Sequence, residues 1–168
     1  MSENESIAIC PGSYDPVTNG HVDIIGRASR VFDKVIVGVV NQAIRKNKSL
    51  FTAEERKGFI ERALAEAGVE NVEVKIFSNL VVDFARENAG TAIVKGIRAI
   101  SDFEYEFEMN QLNRKLAPDL ESVYIFASAE YSFLSSTGVK EMATFGGDVK
   151  DLVPSEVAGA LIERVKRA

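Results

Sequence analysis

One histidine, His21, stands in a chain of 168 residues, and its neighbours give it a chemistry. It closes the stretch Pro11-Gly12-Ser13-Tyr14-Asp15-Pro16-Val17-Thr18-Asn19-Gly20-His21. Ahead of this stretch, Ile7 to Cys10 form a brief apolar run ending at Pro-Gly, the length and punctuation of a buried strand. Beyond it, Val22, Ile25, Ser29 and Phe32 recur at helical spacing, with Ile24, Ala28 and Val31 widening the apolar face. Thr18 or Asn19 is placed to cap that helix. A strand, a glycine-bearing loop and a helix N-terminus aim backbone N–H groups at whatever lies above the strand, which suits a phosphate. An imidazole at that point can donate an N–H to a phosphate oxygen as charge builds there. The loop is neither Gly-x-x-x-x-Gly-Lys nor Gly-x-Gly-x-x-Gly, so it belongs to neither common phosphate-binding class.

The elements that must position these residues alternate along the chain. Strand-like runs fall at Ile7–Cys10, Val35–Val40, Val72–Phe77, Ala92–Lys95 and Val123–Ala127. Thr52-Ala53-Glu54-Glu55 is a capping box opening a helix that runs to about Ala67 and closes at Gly68. Leu80–Asn88 reads as a short helix ended by Gly90. Ser101-Asp102 opens another, with Tyr105, Met109, Leu112 and Leu116 along one face and a stop at Pro118. A helix from near Ser136 breaks at Gly146-Gly147, and Pro154–Arg167 is amphipathic with Val157, Leu161 and Val165 inward. Alternating strands and helices imply an α/β chain: an open parallel five-stranded sheet with helices on both faces and right-handed crossovers. Ligands of such sheets bind beyond the carboxyl ends of the strands. Five loops are expected to meet there, including Arg45, Lys46 and Lys48 after the second strand and Ser78, Asn79 and Leu80 after the third.

Composition narrows the function classes. A hydrophobic fraction of 46% and a charged fraction of 27% are those of a soluble globular chain. No apolar run approaches the roughly 20 residues that span a bilayer, and no charged-then-apolar leader opens the sequence, so no membrane partner and a cytoplasmic setting are expected. A net charge of −5 argues against nonspecific nucleic-acid binding. The single cysteine, Cys10, lies in a strand-like run and reads as core; there is no metal-spacing motif.

Thr18-x-Gly20-His21 is the signature of nucleotidyltransferases that attach AMP or CMP to a phosphate. Three later segments follow in order: Val94-Lys95-Gly96-Ile97-Arg98, Asp102-Phe103-Glu104-Tyr105-Glu106 and Tyr131-Ser132-Phe133-Leu134-Ser135-Ser136-Thr137. Together these four resemble the phosphopantetheine adenylyltransferases of coenzyme A biosynthesis. The resemblance covers nearly the whole chain and implies one nucleotidyltransferase domain, residues 1–168, of Rossmann-like fold. It implies ATP, carried with magnesium, and 4′-phosphopantetheine as substrates, coenzyme A as an inhibitor, and a homohexamer.

The resemblance also implies roles. His21, Arg98 and a lysine of the second loop act on the reacting phosphate. Lys46 is the choice, five residues before Phe51, and Lys48 is the rival. Ser13, Tyr14, His21, Gly96, Ile97, Arg98, Glu106, Tyr131, Ser132, Phe133, Leu134, Ser135, Ser136 and Thr137 are expected to hold ATP. Ser13, Lys46, Val81, Lys95 and Asn113 are expected along the phosphopantetheine arm. A phosphate monoester is largely dianionic at neutral pH, its second pKa being about 6, so no general base is required. In-line positioning and charge neutralisation are what the protein must supply. Transfer to nicotinate mononucleotide or glycerol phosphate, and a noncatalytic nucleotide sensor, stand as alternatives.

Overall fold

The computed structural model describes residues 5–41 and 49–167. Among these, the chain alternates β1 (Ile7–Gly12), α1 (Asn19–Ala28), β2 (Lys34–Val40), α2 (Ala53–Glu66), β3 (Val72–Phe77), α3 (Val81–Glu87), β4 (Ala92–Ile97), α4 (Ile100–Leu116) and β5 (Glu121–Phe126). The helices α5 (Ser136–Thr144) and α6 (Ser155–Arg167) follow. The strands form one sheet in the order β3-β2-β1-β4-β5, and every pairing is parallel. The order reverses between β1 and β4, so the switch point of the sheet lies there.

Strand alternation divides the core into two layers. Ala8 and Cys10 of β1, Val35, Val37 and Val39 of β2, and Val94 of β4 face the layer completed by Ile25, Ile60, Val139, Val157 and Leu161. Ile7, Ile9, Ile36 and Ile93 face the opposite layer, completed by Phe77, Val82 and Phe84. Both faces are apolar because helices cover both, as parallel strands require.

Local signals set most boundaries. Thr52 accepts from the Glu55 N–H while the Glu55 carboxylate accepts from the Thr52 N–H, the reciprocal box expected for α2. Gly68 ends that helix at φ +69°, a conformation a Cβ would strain. β1 runs two residues past the expected stop, pairing Pro11 with Gly38 and Gly12 with Val39. It meets β4 only at Ala8 and Ile9, so beyond Ile9 it is unpaired on that side, where proline is tolerated. The same divergence opens a crevice between the carboxyl ends of β1 and β4.

α4 departs from the usual amphipathic logic. Of its expected apolar face only Met109 is half-buried: Tyr105, Leu112 and Leu116 are exposed, as are Phe103 and Phe107, and the helix has no buried residue. The half-buried positions include Asp102, Glu106, Asn110 and Asn113, a polar row. No described helix is long and apolar enough to cross a membrane.

Candidate active site

A cleft of about 420 Å³ occupies the switch point. Its floor is the end of β1, with Gly12 and Tyr14; one wall is α1, with Thr18, Gly20 and His21. The other walls come from Lys95, Gly96 and Arg98 at the end of β4, Asp102 and Glu106 on α4, and Tyr131 and Leu134 to Thr137 leading into α5. Two helix N-termini, of α1 and α5, therefore meet at one opening. Each presents partial positive charge without an acidic residue in its first turn. α1 approaches β4 closely because Gly96 lacks a side chain: a Cβ there would sit 3.0 Å from Ile24 of α1.

His21 is held in one tautomer. Its Nδ1 accepts the backbone N–H of Thr18 at 3.0 Å, while the Thr18 hydroxyl accepts the His21 N–H. Of the two candidate caps, Thr18 is the one used, and it is 1% exposed. Because Nδ1 must offer its lone pair to that N–H, the proton of the neutral ring resides on Nε2. Burial, with the nearby positive charge of Arg98 added, lowers the His21 pKa to about 4. The ring is therefore a neutral Nε2–H donor at pH 7. Tyr14 meets it edge-on, ring centroids 5.0 Å apart, and donates its hydroxyl to the Cys10 carbonyl.

The cations of the cleft are pre-aimed by carboxylates. Arg98 donates through Nε and Nη2 to the two oxygens of Asp102, at 2.9 and 3.0 Å, and through Nη1 to the Leu134 carbonyl at 2.8 Å. Burial opposes the charge on Asp102, but hydrogen bonds from Arg98 outweigh it and hold the carboxyl below its ordinary range. Lys95 pairs with Glu106 at 3.5 Å. Cys10 also lines the cleft, yet burial pushes its thiol up to about 12, so it stays protonated and is no nucleophile.

Most expected residues meet here, and some do not. Tyr14, His21, Lys95, Gly96, Arg98, Glu106, Tyr131, Leu134, Ser135, Ser136 and Thr137 line the cleft. Ser13 lies between two lining residues but is itself exposed. Ile97 is a buried core residue, Phe133 is 72% exposed, and Ser132 turns its hydroxyl back to the Ala129 carbonyl. Asn113 is half-buried on α4, beyond Glu106. Val81 begins α3 and packs against the second core layer. The loop after β3 does not join the expected convergence of five loops on this cleft. It lines a separate depression with Lys57, Lys75 and Glu87, where Asn79 donates to Glu87. Arg45, Lys46 and Lys48 lie outside the described residues. Asp102 is a site residue that the sequence motifs leave without a role: it stands in the first turn of α4 and takes both the backbone N–H and the guanidinium of Arg98, which precedes the helix.

Residues 9–142 match the cytidylyltransferase-like family. A phosphopantetheine adenylyltransferase of Clostridium tetani is 51% identical over 152 residues, covering 90% of this chain and 92% of the relative. That of Rubrobacter xylanophilus is 53% identical over 152 residues, 90% of each. The chain belongs to the phosphopantetheine adenylyltransferase family. A third member, from Clostridium kluyveri, is 50% identical across 97% of both chains, so the whole described cleft falls within the family resemblance.

Solved structures extend the likeness in fold. The bifunctional NMN adenylyltransferase/ADP ribose pyrophosphatase of Francisella tularensis, complexed with AMP and manganese, superimposes with a TM-score of 0.71 at 18% identity. It covers 98% of this chain; the chain spans about half of that protein, 52%. The Plasmodium falciparum nicotinic acid mononucleotide adenylyltransferase complexed with NaAD gives 0.66 at 16% identity, over 98% of this chain and 96% of that one. As a phosphopantetheine adenylyltransferase family member the chain is a nucleotidyltransferase enzyme, built on a Rossmann-like fold that is shared more widely than its sequence.

Proposed function

We propose that this enzyme transfers AMP from ATP to 4′-phosphopantetheine, forming dephospho-coenzyme A and pyrophosphate by direct in-line attack without a covalent enzyme intermediate. The observation that carries the reading is the neutral Nε2–H of His21 in a cleft walled by two helix N-termini and Arg98. The acceptor phosphate is its own nucleophile, so the protein has only to align it and to stabilise the charge that develops on the α-phosphate oxygens. His21 donates to one of those oxygens. Arg98, with Nε, Nη2 and Nη1 each donating once to Asp102 or Leu134, turns the remaining N–H groups of its two terminal nitrogens to the polyphosphate, Lys46 adds a further cation, and the Tyr131–Thr137 segment seats the nucleotide. Lys95 and Asn113 lie along the path of the acceptor arm, with Ser13 and Val81.

ATP enters as its magnesium complex. Asp102 and Glu106, carboxylates of the cleft, already pair with Arg98 and Lys95, which leaves the ion to the phosphate oxygens. Among the described residues no group of three His, Cys, Asp or Glu side chains is placed to hold a metal.

The catalytic unit is one domain, residues 1–168, working in the cytoplasm as a homohexamer that coenzyme A inhibits. The uncovered apolar side chains of α4, together with Phe126 of β5, support self-association. Pyrophosphate release measured across acceptors and nucleotides tests the activity. ATP with 4′-phosphopantetheine should be the productive pair. Turnover of nicotinate mononucleotide with none of phosphopantetheine would overturn the reading.

A further inference from the structure

Asp15, Thr18 and Arg56 are the buried polar or charged residues among those described. Thr18 holds His21. Asp15 and Arg56 have no part in the chemistry above, yet Arg56 is only 2% exposed, and burying a guanidinium is costly unless it is paired and fully hydrogen-bonded. Among the described residues its hydrogen bonds go to main-chain carbonyls of three separate segments. Nε donates to Phe51 at 3.1 Å and Thr52 at 3.3 Å, where α2 begins. Nη1 donates to Val40 at 3.0 Å, where β2 ends, and to Ser13 in the loop after β1. Asp15 binds the same corner from the other side. Its two oxygens accept the N–H groups of Leu50 and Phe51 at 2.8 and 2.9 Å, and Lys140 of α5 reaches it at 3.2 Å.

We propose that Arg56, working with Asp15, is a positioning residue for AMP transfer: it fixes the loop carrying Ser13 to Asp15 against the end of β2 and the start of α2, and thereby sets the placement of His21. The link is physical. Ser13 sits between Gly12 and Tyr14, both in the cleft, and Tyr14 packs edge-on against the His21 ring. Tyr14 is held at φ +50°, a conformation costly for a non-glycine residue, and it persists only where its surroundings over-determine it. The Arg56–Ser13 bond is adjacent to that peptide. Lysine cannot replace the clamp, because one ammonium cannot reproduce a fork that spans carbonyls of three segments.

The inference rests on the proposed transfer reaction, and the wild-type protein is its control. Absence of AMP transfer to phosphopantetheine in wild type would sink that reaction, whereas normal variants beside an active wild type would sink only the clamp. Two variants are made, Arg56→Lys and Lys140→Met, and kcat is expressed per native molecule. Displacing a reacting group by an ångström costs up to about 100-fold, so Arg56→Lys should lose about 10- to 100-fold in kcat with the KM for ATP within about threefold. Lys140→Met, which removes only the outer contact on Asp15, should lose about three- to tenfold in kcat. In both, the NMR resonances of the single histidine ring should shift. A lowered melting temperature with kcat and the histidine spectrum unchanged would reduce Arg56 to a core ion and overturn the proposal. A raised KM for ATP with intact kcat in Lys140→Met would overturn it too, by making Lys140 a nucleotide ligand. Should Arg56→Lys not fold, the Lys140→Met result decides alone.

Discussion

Replacing His21 by alanine removes two separable functions. The first is the Nε2–H donor in the cleft. A preorganised donor of this kind is worth about 10²–10³ in rate, or about 2.7–4 kcal/mol at the transition state. The second is the reciprocal arm of the α1 capping box, since Nδ1 accepts the Thr18 N–H at 3.0 Å and Thr18 is buried. Leaving that N–H without a partner costs about 1 kcal/mol of folding stability. For a chain of this length that lowers Tm by about 2–4 °C. His21→Ala should therefore lose about 10²–10³ in kcat with a much smaller change in ATP affinity, and melt slightly earlier. His21→Glu separates the two effects. It recreates a Thr-x-x-Glu box, so its stability should recover toward wild type, but a carboxylate only accepts, so turnover stays low. Steady-state pyrophosphate release and calorimetric melting on both variants make the test. Near-normal turnover in either one would refute the donor role and leave His21 as a cap.

The single histidine should titrate by NMR near pH 4 rather than 6.5. The unfolded chain then binds a proton that the native state refuses, and the stability this group contributes is lost as pH falls from about 6.5 through 4; titration near 6.5 would contradict the half-buried, Arg98-flanked environment. Lys46→Ala should cost both turnover and phosphate affinity while Lys48→Ala changes them a few-fold, and parallel kinetics showing the reverse would transfer the role to Lys48. A side chain at Gly38 would place a Cβ 2.6 Å from Phe84 and 2.9 Å from Phe77, so Gly38→Ala should destabilise by about 1–3 kcal/mol in urea unfolding; an unchanged midpoint would show that the stacked rings can move aside. Leu112→Glu with Leu116→Glu should shift sedimentation toward smaller species without unfolding the monomer, and an unaltered oligomer would place the interface elsewhere.

Much of this protein is written locally. Apolar runs of strand length, the Thr52–Glu55 box, and stops at Gly68, Pro118 and Gly146 depend on neighbours a few residues away, so they can be read without a fold. His21 at a helix start was legible for the same reason, as was the phosphate-seeking character of the loop before it. Three features were not, and each depends on segments far apart in sequence. The row carrying Glu106 and Asn113 was expected at the site, but only the placement of α4 over β4 and β5 shows that Tyr105, Leu112 and Leu116 are left for another surface. The state of His21 follows from burial and from Arg98, which the strand order brings across the switch point. Arg56 reads in the sequence as one more helical cation, on a helix that also carries Lys57 and Arg62. It is buried because the ends of β1, β2 and the start of α2 converge and leave their carbonyls pointing at one spot. Periodicity and capping are short-range properties that the chain fixes by itself, whereas desolvation and the meeting of distant carbonyls, carboxylates and rings exist only once the sheet has brought its strand ends together.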